Sequence, residues 1–287
     1  MTPTTIRNFL RKRGVTVALV LAILSAAGVM QFAGVNPAAS QTLFLTAHQA
    51  ADEPADPAAG AWKDAQAVQI PLSAQLGSYA GGGGSIATVN AQALHYKGRL
   101  YVRVQWADAT TDESTVRTQD FSDAVALEFP ARSASTVPSI CMGQAGSGVN
   151  IWHWRADSQR GLKDPADVYA GTLTDLNMTT FPRFYTARDA GNPFANPELG
   201  SVQTLVAQAF GTLATANVQD VAGKGARVAD GWAVVFSRQY AAGDVNQAAF
   251  APGSKTDMAI AVWNGSEDDR NGRKSVSSFV TLRVSSA

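Results

Sequence analysis

Residues 139–148, Ser-Ile-Cys-Met-Gly-Gln-Ala-Gly-Ser-Gly, hold the chain's single cysteine beside Met142, and Trp152-His153-Trp154 follows closely. A thioether in a glycine-rich loop is a soft donor suited to the axial position of an iron held in a flat macrocycle. The glycines would let the backbone come close to the ring, and the aromatics would wall its pocket. Packing is the competing reading, because methionine fills irregular gaps in cores. If the backbone there is extended, Cys141 points away from Met142 and behaves as a buried thiol. In a strand, His153 faces away from its two tryptophan neighbours, either as a structural imidazole or as a hydrogen-bond partner for a bound group. Trp152 and Trp154 share the opposite face, where they fill a core or pack on the macrocycle.

A second cluster lies near the C-terminus. Ala261-Val262-Trp263-Asn264-Gly265 leads through a charged stretch to Gly272-Arg273-Lys274-Ser275, a strand ending in a charged turn before the last strand. By composition alone this is a solvated hairpin tip.

The elements that must position these residues read as strands. Runs with β-branched and aromatic alternation recur at 67–72, 91–96, 100–106, 124–129, 150–155, 232–238, 257–263 and 277–284. Lys97-Gly98 predicts a hairpin, Asp230-Gly231 a tight turn, and Gly81–Gly84 a flexible connection. The expectation is an all-β fold, an antiparallel β-sandwich with long loops and little helix. Residues 201–216 form the one apolar run long enough for a helix, and 157–197 read as a long excursion from the sandwich.

The chain of 287 residues is 46% hydrophobic, enough for a full core, and its 23 basic residues balance its 23 acidic ones. No overall field favours nucleic acid. One cysteine excludes an internal disulfide, a CxxCH attachment and a four-cysteine metal site. HExxH, GxSxG and phosphate-loop motifs are missing, and only His48, His95 and His153 could serve a histidine-based site. No catalytic residue is assigned. At the N-terminus, Arg7, Arg11, Lys12 and Arg13 precede an uncharged stretch over 14–35, and small residues follow to Gln41. This is the order of a secretory signal, or of a membrane anchor if uncleaved, and either predicts an exported, periplasmic domain. The expected organisation is a signal or anchor over 1–40, an extended arm over 41–61 that carries His48, and the sandwich over 62–287.

Several segments, in order, resemble one family. Asp52-Glu53-Pro54 with Trp62 downstream, Met142-Gly143 before Val149-Asn150-Ile151-Trp152-His153-Trp154, the run from Asp230 to Arg238, and Ala261–Gly265 before Gly272-Arg273-Lys274-Ser275 are similar to the haem b-binding γ subunit of ethylbenzene dehydrogenase. The resemblance extends to the corresponding subunits of dimethylsulfide dehydrogenase, selenate reductase and chlorate reductase, and runs from about residue 50 to the C-terminus. It implies one non-covalent haem b with methionine and lysine as axial ligands, which fall on Met142 and Lys274. Lys224, between Gly223 and Gly225, is the second choice for the lysine. Arg273 and Arg238 would neutralise haem propionates, His153 would hydrogen-bond one, and Trp152 and Trp154 would line or support the pocket. The implied partners are a molybdenum-cofactor catalytic subunit and an iron–sulfur subunit, with a soluble cytochrome or quinone-linked carrier as the external electron partner. Two rivals stand beside this expectation: a haem-free, carbohydrate-binding sandwich and a membrane-tethered cytochrome that works alone.

Overall fold

The computed structural model describes residues 43–75, 82–115, 117–160 and 200–286. Fourteen strands run through them: β1 (Phe44–Gln49), β2 (Val68–Pro71), β3 (Ser73–Ala74), β4 (Thr88–Tyr96), β5 (Arg99–Ala107), β6 (Ala124–Pro130), β7 (Val149–Arg155), β8 (Val202–Ala207), β9 (Ala214–Thr215), β10 (Ala222–Val228), β11 (Gly231–Gln239), β12 (Lys255–Trp263), β13 (Ser275–Val276) and β14 (Val280–Val284). The eight strands expected from alternation are all present.

Two layers share one strand. The first runs β10-β11-β5-β4-β1-β14-β12, with β2 beside β4, and the second runs β12-β6-β7-β8-β9, with β13 beside β12. Lys255–Met258 pair with β14, whereas Ala259–Trp263 pair with β6, so β12 crosses from one layer to the other. Apolar side chains from the inner faces meet between the layers, among them Val104, Leu127, Phe129, Phe236 and Ile260, all fully buried. Trp154 is the pivot, packed edge-on against Trp232 at 5.2 Å and Trp106 at 6.4 Å between ring centroids. Its indole N–H donates to Gln159 Oε1 at 3.0 Å, so the ring is buried with its polar atom satisfied. Trp232 donates to Asp123 Oδ2 at 3.0 Å, and the same carboxylate accepts from Gly265 N, tying the end of β12 to the core.

Several expectations are corrected. The sheet is mixed, because β1 runs parallel to both β14 and β4. The sandwich begins at β1, well before residue 62. The stretch expected to be a free arm is docked: Tyr101 OH donates to Glu53 at 2.8 Å, Arg103 Nε to the Pro57 carbonyl at 3.1 Å, and Lys224 pairs with Asp56. His48 therefore sits in β1. Residues 201–216 form the hairpin β8–β9 instead of a helix, since Val202, Thr204 and Val206 favour extended backbone and edge pairing with β7. Lys97 and Gly98 both take positive φ, 45° and 76°, as a type I′ hairpin turn requires. The signal or anchor segment and most of the 157–197 excursion lie outside the described residues. Among the described residues, no helix is long and apolar enough to cross a membrane.

Candidate functional site

The outer face of the second layer is the floor of a cavity of about 590 Å³. Period-two alternation decides what the floor presents: Ala124, Ala126 and Glu128 from β6, Ile151, His153 and Arg155 from β7, Leu205 from β8, and Ala259, Ala261 and Trp263 from β12. Register sets these in rows. Ala259, Glu128, Ile151 and Leu205 form one, Ala261, Ala126 and His153 the next, and Trp263, Ala124 and Arg155 the third. Four alanines at the centre make a flat, low floor bordered by larger groups. The volume lies in the range of small-molecule and cofactor sites.

Two loops wall the cavity, and each carries one proposed ligand. Met142 follows β6 in the loop that leads to β7, and it packs against the patch of Ala126, Val149, Ile151, Leu205 and Ala207 together with Trp263. Lys274 leads into β13 and also lines the cavity, its Nζ 5.0 Å from the Trp263 ring centroid. Burial lowers its pKa, partly offset by the negative potential of Cys141 and Glu128. That shift favours the neutral amine, the only form of lysine with a lone pair to give a metal. The backbone of Lys274 is held firmly. Gln75 N donates to its carbonyl at 3.1 Å, and β13 pairs with β3 as well as β12.

Gly83 presses on the same backbone. Expected as part of a flexible connection, it has φ +84°, and a Cβ there would lie 2.4 Å from the Lys274 carbonyl oxygen. Gly83→Ala is therefore predicted to cost about 1–3 kcal/mol through clash and left-handed strain. A urea midpoint equal to that of the wild type would refute this contact.

The glycines after Met142 do other work than expected. A Cβ on Gly143 would meet the Ser147 carbonyl at 2.8 Å, and one on Gly148 the Ala207 carbonyl at 3.1 Å, so they let the loop fold on itself and on β8. The floor alanines line the cavity, and Gly143 and Gly148 do not. Of the two readings of Trp152 and Trp154 the core one holds, and their place in the pocket lining is corrected: both are 0% exposed between the layers and neither lines the cavity, because alternation turns them inward when His153 faces out. Arg238 is likewise interior. It is fully buried, its guanidinium 5.2 Å from the Trp152 ring and bonded to the Ala248 carbonyl, and cannot reach a ligand on the outer face. Arg273 lies beside Asp269 and Gly82 outside the cavity lining, which Arg270 and Arg155 join in its place. Lys224 stands on β10, exposed and paired with Asp56, away from the floor strands.

His153 faces the cavity as alternation predicts, its ring 4.9 Å from that of Trp263. Its buried Nε2 meets no hydrogen-bond partner among the described residues. Desolvation, then the charges of Arg155 and Lys274, bring its pKa down to about 3. The unfolded chain takes up this proton near pH 6.5 and the folded one does not. Stability is thus fully present above pH 6.5 and falls as pH drops toward 3. Haem-free His153→Gln should lose less stability than the wild type between those limits, and parallel urea midpoints at pH 7, 5 and 4 would contradict the assignment.

Glu128 was not singled out from the sequence. It is buried on the floor, and both its oxygens accept the Cys141 N–H, at 3.0 and 2.9 Å. Burial pushes its pKa up to about 7, against that hydrogen bond and the Lys274 charge. Burial also raises the Cys141 thiol, which makes it a poor nucleophile. The signal for the floor lay in Ala-Val-Ala-Leu-Glu-Phe (124–129) and Ala-Ile-Ala-Val-Trp (259–263), where small residues alternate with large ones in two strands. Among the described residues, no group of His, Cys, Asp and Glu could hold a metal ion by itself. A flat floor, a thioether and a desolvated amine on two separate loops, and an unpartnered imidazole nitrogen fit a planar, metal-bearing macrocycle.

Comparison with known proteins gives the same direction. The chain is 32% identical to the haem subunit assigned to a respiratory nitrate reductase of Haloferax mediterranei, over 80% of this chain and 68% of that one. It is 28% identical to the γ subunit of chlorate reductase of Ideonella dechloratans, over 94% and 95% of the two chains. It is 29% identical to the γ subunit of dimethylsulfide dehydrogenase of Rhodovulum sulfidophilum, over 62% and 53%. The profile of the ethylbenzene dehydrogenase family matches residues 59–275, a span that takes in the cavity floor and both loops. The chain belongs to the ethylbenzene dehydrogenase family.

Proposed function

We propose that this chain is a haem-carrying electron-transfer subunit of an oxidoreductase complex, with Met142 and Lys274 as the axial ligands of one non-covalent haem b. The observation that carries this reading is that both side chains, borne on separate loops, line one alanine-floored cavity. When bound, haem supplies a one-electron couple. The chain's own contribution is to hold and tune it. Desolvation keeps Lys274 toward the neutral amine, Met142 offers a soft sulfur that favours the reduced metal, and His153 offers its free ring nitrogen to a polar edge of the ligand. With Met142 and Lys274 both bound, the iron would have no open coordination position, which would leave substrate chemistry to other subunits.

The names of the relatives support a γ-type place in a multisubunit enzyme. In this reading the chain passes electrons between the iron–sulfur subunit of a molybdenum oxidoreductase and a soluble cytochrome or quinone-linked carrier, in the periplasm. The test is the oxidised and dithionite-reduced absorption spectrum of the full chain expressed with haem supplied. A sharp reduced α band that leaves with acid acetone supports a non-covalent b haem. A colourless, folded protein that takes up no added hemin and binds glycans would overturn it in favour of a carbohydrate-binding sandwich. Co-purification with a large molybdenum protein distinguishes a subunit from a cytochrome that works alone.

A further inference from the structure

Met142 projects from a strained piece of chain. Cys141, directly before it, has φ +90°, a region that side-chain-bearing residues rarely adopt. Such a conformation costs on the order of 1–3 kcal/mol and persists only where the surroundings hold it. Two contacts hold this one. Gly143 N closes the turn on the Ser139 carbonyl at 2.9 Å, and the Cys141 N–H is taken by both oxygens of Glu128. The turn is a local feature of the loop, but Glu128 is not. It stands in the middle of β6, in register with Ala259 on one side and Ile151 on the other, so its backbone is fixed by ladders on both edges.

We propose that Glu128 is the positioning residue for Met142: a carboxylate anchored in the cavity floor clamps the amide before the methionine and sets where the sulfur stands over that floor. This inference rests on the haem reading for what the sulfur meets, though the clamp itself belongs to the polypeptide. A loop-borne ligand would otherwise sample many positions, and a hydrogen bond from the loop amide to both oxygens of a side chain on a rigid strand removes that freedom.

The test compares Glu128→Ala with Glu128→Gln, which keeps a carbonyl oxygen able to accept the Cys141 N–H. In the haem-free full chain, hydrogen exchange at Cys141 should quicken roughly tenfold or more in E128A and stay within a few-fold of wild type in E128Q. In the haem-loaded chain, E128A should pass partly from a six-coordinate low-spin spectrum to a high-spin one, while E128Q keeps the low-spin form. Adding Cys141→Gly to E128A should restore the low-spin spectrum, because glycine adopts the positive φ without a clamp. Equal Cys141 exchange in wild type and E128A overturns the clamp, as does an E128A spectrum identical to wild type. Should E128A fail to fold, E128Q and Cys141→Gly/E128Q decide through the same two readouts, with lost low-spin character in folded E128Q counting against the proposal unless glycine at 141 restores it. A wild-type chain that takes up no haem sinks the haem reading instead, and exchange at Cys141 still reports separately on the clamp.

Discussion

Lys274→Ala, expressed with haem supplied, is expected to lose the six-coordinate low-spin spectrum, and Met142→Ala is expected to do the same. Each removes one of the two proposed donors that the loops bring to the cavity. The loss of haem affinity should exceed the roughly 10–100-fold that removal of an outer-shell partner costs a metal site. Lys224→Ala is the control. Lys224 is exposed on β10 and paired with Asp56, so its removal should cost no more than a surface ion pair, about 0–1 kcal/mol, and leave the spectrum unchanged. A Lys274→Ala protein that stays fully low-spin, or a Lys224→Ala protein that does not, would show that the lysine assignment is wrong. Absorption and electron paramagnetic resonance spectra of the four proteins decide it.

Trp154→Ala should be the most damaging of the core changes. The ring is 0% exposed, packs edge-on against Trp106 and Trp232, and donates to Gln159. Gly225 shows how closely it is enclosed, since a Cβ there would come within 2.3 Å of the indole. Truncation removes this contact and leaves a cavity between the layers, at an expected cost of about 3–5 kcal/mol. Domains of this kind are stable by roughly 5–15 kcal/mol, so the loss is a large share of the whole. Urea unfolding of the haem-free protein measures it directly. A loss below about 1 kcal/mol would mean that the layers do not close on this ring.

The strands were readable because alternation of large and small or polar residues survives in each of them, and β5, with Leu100, Val102, Val104 and Trp106 on one face, is the plainest case. β1 was hidden. Phe44-Leu-Thr-Ala-His-Gln alternates weakly, its polar neighbours suggest an arm, and its pairing with β14 and β4 joins residues far apart in sequence. The run at 201–216 misled because a hairpin with a short second strand has no long alternating stretch to mark it. At the site, the loop positions of Met142 and Lys274 came from motif order, and the outward face of His153 came from period two. The floor was missed because alanine on an outer face usually signals nothing, and only the pairing of β6 with β12 shows that four alanines coincide. Glu128 was missed for a related reason: one acid in an apolar strand reads as a solvent-facing residue until the loop that covers it is seen. The inward turn of Trp152 and Trp154 follows from the same alternation that exposes His153, and both could have been fixed together once β7 was known to have one face on the core.

β12 is shared, its first half closing one layer and its second half paving the cavity. A strand with that double membership has no private way to open. Freeing the amides of Ala259 or Ala261 requires parting β6 from β12, which also undoes the junction between the layers, so these amides should exchange only when the whole domain unfolds. A ligand seated on the floor would then protect residues as far off as β14 by the same free energy with which it is held.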